Sequence, residues 1–530
     1  MANSSIANQY RKVYLVGGGI ASLASAAYFI RYSNTPGNHI HILEELNIAG
    51  GSMDASGTPE TGYVMRGGRM LNFSYLCTYD LLSFIPSLTD PKKTVLDEIN
   101  TFNAAIKSHS LARLVDGGKI VDVSSMGFSN EDRLDLMEMM GATETFLGTK
   151  RVDEWFAPSF FETNFWYLWD TMFAFQPWHS AVEFKRYLHR FIHEFKRIDT
   201  LAGVDRTPYN QFDSIINPTI QWLTAQGVIF ETGVKVTDLG FSPSDDKKSV
   251  NQIRYIKNST ESVIQVSEGD FVLVTIGSMT ADSRLGSMQS APELVTIKLD
   301  GSWLLWEAIA KHSPEFGRPF VFDSRVAESK WESFTVTSNG TEFFDMMEQF
   351  SGNKAGTGGL VTFKDSNWLM SIVLPHQPHF IGQPEGVTVF WGYGLYVDKI
   401  GNFVKKNMCE CSGEEILVEL LCHLRFNAMQ EQLVKKMNCI PCMMPYITSQ
   451  FLTRAKGDRP QVVPEISENI AFIGQFAEVP DDVVFTVEYS VRTAQTAVYT
   501  LLKLDKKPLQ LYHGDHHIDV LYDAMKTLFR

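Results

Sequence analysis

Apolar runs broken by glycines set the pattern of the first fifty residues. Residues 12–16 (KVYLV) have the length and composition of a strand, Gly17-Gly18-Gly19 interrupts them, and 21–31 is an alanine-rich stretch that predicts a helix. A second strand follows in HIHILEE, 39–45. Far downstream, FVLVTIG (271–277) and IAFIGQF (470–476) are apolar runs closed by glycine, as buried strands are. TVEYSVRTAQTAVYTLLK (486–503) predicts an amphipathic helix. Residues 181–196 predict another, with Phe184, Leu188, Phe191, Ile192 and Phe195 in one stripe and Tyr187 at its edge. Its hydroxyl is placed to enter a mostly apolar space. A mixed helix is expected over 413–437, and GVTVFWGYGLYV reads as a strand. In the closing HHIDVLYDAMKTLFR, Ile518, Leu521, Tyr522, Met525, Leu528 and Phe529 share one helical face. Such a face either caps its own domain or acts as a lid or membrane-surface contact, here with only Lys526 and Arg530 as basic help.

Strand, glycine turn, helix and strand form the first half of a dinucleotide-binding fold. The frame Gly17-Gly18-Gly19-Ile20-Ala21-Ser22 has serine at the third glycine of G-x-G-x-x-G. Glu44 ends the second strand, where a carboxylate can accept hydrogen bonds from a ribose diol. A glycine turn beside a solvated glutamate is the plainer reading. The late strand ending in Gly474 and the helix after it tip the balance, because together they frame FAD better than NAD. The loop RGGRMLNF (66–73) adds Arg66 and Arg69, suited to an anion, and then turns apolar at Met70.

Composition narrows the class. At 530 residues, two or three domains are expected, and 44% hydrophobic with 20% charged residues is ordinary for a globular protein. A net charge of −14 argues against nucleic acid and gives no pull toward anionic membranes. Six cysteines are too few for a disulfide scaffold and suit a reducing, cytoplasmic setting. Cys409, Cys411, Cys422, Cys439 and Cys442 have spacings that could hold metal, but their apolar context favours incidental thiols; no metal is expected. His513, His516 and His517 read as solvated. The uncharged segment 13–30 is a poor membrane span because of its glycines. In 155–178, eleven of 24 residues are aromatic, which fits either core or the wall of a long apolar cavity.

Taken together, GGGIASLASAAYFIR, EELNIAGGSMD, RGGR, FWYLWDTMFAFQPWHSAVEFKRYLHRFIH, YNQFDSI, FWGYGLY, GNFVKK, CSGEEIL and FTVEYSVRTAQTAVY form an ordered series over about 12–505 that resembles the oleate hydratases, or myosin-cross-reactive antigens. The resemblance implies an α/β, Rossmann-like FAD-binding domain of the two-dinucleotide type, an inserted mixed α/β substrate domain and a C-terminal helical segment. The FAD parts are expected at 1–85, 206–290 and 456–505, an aromatic-rich cavity segment at 86–205, a substrate domain at 291–455 and the terminal helix at 506–530. It further implies a hydro-lyase that adds water to the cis-9 double bond of a long-chain unsaturated fatty acid, with flavin in its reduced form and no net redox change. Gly17, Gly19, Ile20, Ala21, Glu44, Gly50, Gly51, Ser52, Arg66, Gly67, Gly68 and Gly474 would hold FAD. Tyr187 matches the acid that protonates the alkene, Gln211 a contact to the fatty acid, and His379 a histidine near its carboxylate. Met70 stands where the family carries the glutamate that activates water, and Val373 and Pro375 replace threonine and asparagine. Asn72, the Gln211 amide, a carbonyl of Gly67–Gly68 or the flavin remain as acceptors for water. The early first strand leaves no room for the helical extension of dimeric members, so a monomer is expected. The rival readings are a catalytically silent lipid-binding flavoprotein and an FAD oxidoreductase.

Overall fold

The computed structural model describes residues 11–243 and 247–530. Its centre is a five-stranded parallel sheet in the order Ile470–Ile473, Phe271–Thr275, Val13–Val16, Ile40–Glu44, Ile229–Thr232. Val13 pairs with Phe271 on one side and Ile40 on the other. All four residues of Val13–Val16 are buried, so the run is apolar throughout and does not alternate. Helix Ile20–Ser33 packs on helix Val487–Leu501, and Ala24, Ala26 and Ala27 let the two come close. These expected elements are present: the strands and the late helix are shorter than expected, and the first helix is longer at both ends.

A second, eight-stranded sheet is mostly antiparallel and is built around Trp331–Asn339, which pairs with both Val387–Gly394 and Met437–Met444. Leu114–Asp116 and Arg284–Leu285 also join it, from outside 291–455. Conversely, helix Gly301–Ala310 sends Trp303 and Trp306 against Phe476, on the parallel-sheet side.

Three expectations need correction. The 181–196 helix is α-helical only over Ala181–Arg190; Phe191 leaves helical geometry and a tighter 3₁₀ turn spans Ile192–Arg197. The 413–437 helix ends at His423, where Arg425 takes a left-handed φ of 61°, and resumes briefly at Gln430–Val434. The terminal helix, Ile518–Leu528, buries Ala524, Thr527 and Leu528 instead of its larger apolar stripe. Ile518 is 86% exposed and Tyr522 61%, so of that stripe only Leu528 is buried, and the helix packs on its own domain through its Ala524–Leu528 edge. No helix among the described residues is long and apolar enough to cross a membrane.

The aromatic-rich stretch is chiefly core. Phe160, Phe165, Trp166, Trp169 and Phe175 are buried and pack on one another and on Phe184. Beneath them lies buried charge. Glu183 meets Arg454 at 3.0 Å and Arg459 at 2.9 Å, while Arg186 meets Glu144 at 2.7 Å and Glu478 at 3.0 Å. Burial alone would raise the Glu183 carboxyl, but Arg459, Arg454 and Arg186 hold it down at about 2.

Replacing Glu183 by Gln removes the buried carboxylate that Arg454 and Arg459 share, and a loss of about 3–5 kcal/mol at neutral pH is expected in denaturant titration. The sign of its pH dependence follows from the lowered value. Stability from Glu183 is present above the ordinary carboxyl range and lost as pH falls toward about 2. The Gln variant should therefore show a flatter acid limb; an unchanged limb would remove the ion pair as its cause.

Candidate functional site

Two cavities share one loop. The first is a groove of about 1070 Å³, open solvent included, along the C-terminal ends of the parallel strands. Gly17, Gly19, Ile20, Ala21, Glu44, Gly50, Gly51, Ser52, Arg66 and Gly474 all line it. Gly19 precedes helix Ile20–Ser33 and no side chain caps that helix, so the first-turn N–H groups stay available to a ligand. Gly17 needs its freedom for backbone, at φ +94°. Gly19 differs: its φ is −78°, and a Cβ there would meet nothing nearer than 3.9 Å. What it leaves free is ligand space.

Glu44 is tied into the turn: one carboxylate oxygen accepts the Gly18 N–H at 2.6 Å and the other the Leu46 N–H at 2.8 Å. Burial raises its pKa, against those two bonds. Arg66 is spent as well, on Asp54 at 2.8 and 2.9 Å and on the carbonyls of Gly51 and Thr280. It clamps the groove's loops together and does not stand free for an anion. Thr275, Gly277, Asp300 and Gly301 complete the wall, and sequence reading missed their role.

Past Arg66 the loop leaves the groove. Gly68, Arg69 and Met70 line a second cavity of about 900 Å³, walled by Met65, Met172, Trp331, Trp391, Tyr393 and Phe485. Gly67 lines neither space. From the aromatic-rich segment only Thr171, Met172 and Ala174 reach this cavity; its aromatic walls come from other strands. Gln211 and His379 line it, as do Val373 and Pro375. The Gln211 amide donates to the Arg69 carbonyl at 2.9 Å, which leaves its Oε1 without a partner among described residues. Burial pushes the His379 imidazole down to about 3, so it is neutral.

Gly68, Arg69, Met70, Met172 and Phe485 also face a third space of about 610 Å³, which contains Asn72 and Glu194. Asn72 is saturated: its amide donates to Glu194 at 2.8 Å and to Gly203 at 3.2 Å, while its oxygen accepts from Ser74. It has no bond left to align water.

Tyr187 is fully buried and lines none of these cavities. Its ring lies among Phe173, Phe175, Phe191 and Phe451. Its hydroxyl accepts the Phe485 N–H at 3.0 Å, and burial raises its pKa well above the usual phenol. The expected rim position is therefore not found: Tyr187 lies in the core, tied to the Phe485 backbone. Its own O–H proton makes no hydrogen bond with a described residue. Arg69 is likewise unpaired with any acid, stacked 5.0 Å from the Phe485 ring and pushed down to about 10 by burial. All six cysteines are free thiols. His513, Asp515 and His516 bring ligand atoms within 4.8 Å of one another at the surface, but Asp515 already meets His189 at 3.0 Å.

A glycine-rich groove on a parallel sheet, sharing a loop with an apolar cavity, defines a protein of the dinucleotide-binding flavoprotein fold. The fold is shared with the crystal structure of an oxidoreductase from Methanosarcina mazei (TM-score 0.52, 12% identity, covering 93% of this chain and 100% of that one). Residues 10–499 match the MCRA family, and the chain belongs to it. It is 39% identical to the oleate hydratase of Streptococcus pyogenes serotype M49 (strain NZ131), over 98% of this chain and 90% of that protein. It is 35% identical to the linoleate hydratase of Lactiplantibacillus plantarum, over 92% and 93% of the two chains.

The open space at Gly19 makes a clean separation possible. Gly19→Val should keep the thermal midpoint of the ligand-free protein and lose FAD binding in fluorescence titration, since only a bound pyrophosphate would meet the new side chain. Equal FAD affinity in the variant would show that the groove binds something else.

Proposed function

We propose that this protein is a hydro-lyase that adds water to the cis-9 double bond of long-chain unsaturated fatty acids such as oleate, giving 10-hydroxy acids. The observation that carries the reading is the loop 66–70, which passes from a dinucleotide groove into a mainly apolar cavity lined by methionines and aromatic rings. The hydratase names of two relatives point the same way. FAD fits the groove through the uncapped helix start, the Gly17–Gly19 turn and Gly50–Ser52, with Glu44 keeping lone pairs for a ribose. Bound there, FAD would supply a polar ring system able to stabilise charge, with no net redox change.

The chain's own residues do the rest. Hydration breaks the π bond and forms one C–H and one C–O bond; the second proton of water returns to the acid. An isolated alkene is a very poor base, so the acid must be held against it without water. Tyr187 is the proposed donor, because its O–H is unspent while its oxygen is fixed by the Phe485 N–H. Reaching the substrate requires Phe485 to swing aside. Arg69, a bare cation beside it, favours the phenolate left behind. Gln211 Oε1 is the proposed acceptor that aligns water, and Met70 is wall. The absent carboxylate at 70 favours one rival, a silent lipid-binding flavoprotein.

The exposed stripe of Ile518, Leu521, Tyr522 and Met525 supports a peripheral contact with lipid bilayers, from which fatty acid would be drawn. Vesicles of neutral phosphatidylcholine should pull down the native protein and not the double variant Tyr522→Asp/Met525→Glu. Equal sedimentation of both would end that proposal.

Incubation with oleate, FAD and H₂¹⁸O without oxygen separates the readings. Label in a hydroxy acid is expected; bound but unaltered oleate would select the silent protein, and a requirement for an electron acceptor the oxidoreductase. In the same assay Tyr187→Phe should lose ~10²–10⁴-fold in rate with FAD binding intact. Met70→Leu, which conserves volume, should change it little.

A further inference from the structure

Arg206 lies in the wall of the apolar cavity with no acid to pair with. Other buried arginines of this protein are neutralised: Arg186, Arg190, Arg454, Arg459 and Arg492 each have a carboxylate at 2.7–3.4 Å. Arg206 makes no such pair, and burial alone acts on it, pushing it down to about 10. Its backbone is fixed by Asn103, which accepts the Arg206 N–H at 2.9 Å and donates to its carbonyl at 2.8 Å. Nε reaches Ser108 at 3.1 Å; Nη2 is buried without a partner. Space for the guanidinium comes from Gly359, where a Cβ would sit 2.9 Å from Nη2.

A buried, unpaired cation is costly, and a fold that holds one rigidly against an empty apolar space has an anion to gain there. Arg69 and Arg113 are likewise pushed down to about 10 by burial and have no carboxylate against them. Arg113 donates to the carbonyls of Leu360 and Ile198, leaves Nη2 without a partner and does not line the cavity. Arg69 also lines the cavity, but its guanidinium lies on Phe485 and reaches Met279 of the groove, at the end of the cavity next to the groove. Near Arg206 the cavity offers little other help to a carboxylate. Val373 and Pro375 present no side-chain donor, and His379 is neutral.

We propose that Arg206 is the charged anchor for the substrate carboxylate, and that the cavity therefore selects free fatty acids over their esters and alcohols. This rests on the fatty-acid reading above. Nη1, which makes no hydrogen bond with a described residue, is the donor offered to the carboxylate, with the guanidinium charge behind it.

The test is equilibrium binding of oleate and of oleyl alcohol, its uncharged twin, to the FAD-loaded protein. Native protein should prefer oleate by roughly 10–100-fold, the worth of a hydrogen-bonded charge pair. Arg206→Met should bring oleate down to the alcohol's affinity and leave the alcohol unchanged, and its ligand-free thermal midpoint should not fall, because an unpaired cation has been removed. Arg206→Gln is the second neutral variant should the Met form fold poorly, and Arg206→Lys should keep part of the preference. Preference for oleate surviving in both neutral variants overturns the anchor while leaving the fatty-acid reading intact. Binding of neither ligand by native protein overturns both.

Discussion

Buried charge on one helix holds the site together. Glu183, Arg186 and Arg190 project from Ala181–Arg190, and each is met by a partner from the segment that closes the parallel sheet. Asp482 takes Arg190 at 3.4 Å and Arg492 at 3.0 Å; Glu488 takes Arg492 at 2.8 Å and also accepts the backbone N–H groups of Cys77 and Thr78. Ion pairs removed from water add little stability unless their geometry is well satisfied, but they tolerate very few arrangements. This network therefore fixes position more than it adds energy. Tyr187 sits between its two halves, and Phe485 follows Asp482 by three residues. Their hydrogen bond is set by charges that touch neither.

The same economy appears in loop 66–70. Arg66 locks Asp54, Gly51 and Thr280 together and so shapes the groove. Three residues later the chain walls the acyl cavity. One short segment thus serves both spaces and fixes their separation. Gln211 fastens the far side of this loop through the Arg69 carbonyl, which also decides the orientation of its own amide.

How legible this was from sequence depended on range. The groove could be read because its signals are local: a glycine turn between strand and helix, an acid at a strand end, a glycine before the last helix. Tyr187 was found as a residue but not as a place, since its partner is 298 positions away. The terminal helix misled for a steric reason. The larger apolar stripe suggested the buried face, yet Ala524 and Thr527 let a backbone approach that Tyr522 and Met525 would block. Asn72 looked like a free amide until tertiary structure used all its bonds. Arg206 gave no signal at all, because the absence of a carboxylate against it is a property of the fold and of no local pattern.

Met70 is best understood through Arg69. A glutamate at 70 would stand beside an unpaired guanidinium and neutralise part of its field. With methionine there, water loses a strong acceptor, and the cavity keeps a cation with no acid partner stacked on Phe485, next to the phenol proposed as the proton donor. Protonating the alkene is the harder half of hydration, because carbon is so weak a base. On this reading the substitution moves electrostatic help from the nucleophile to the acid. A neutral acceptor such as Gln211 Oε1 can still orient water, provided that the developing positive charge on carbon does the work of drawing it in.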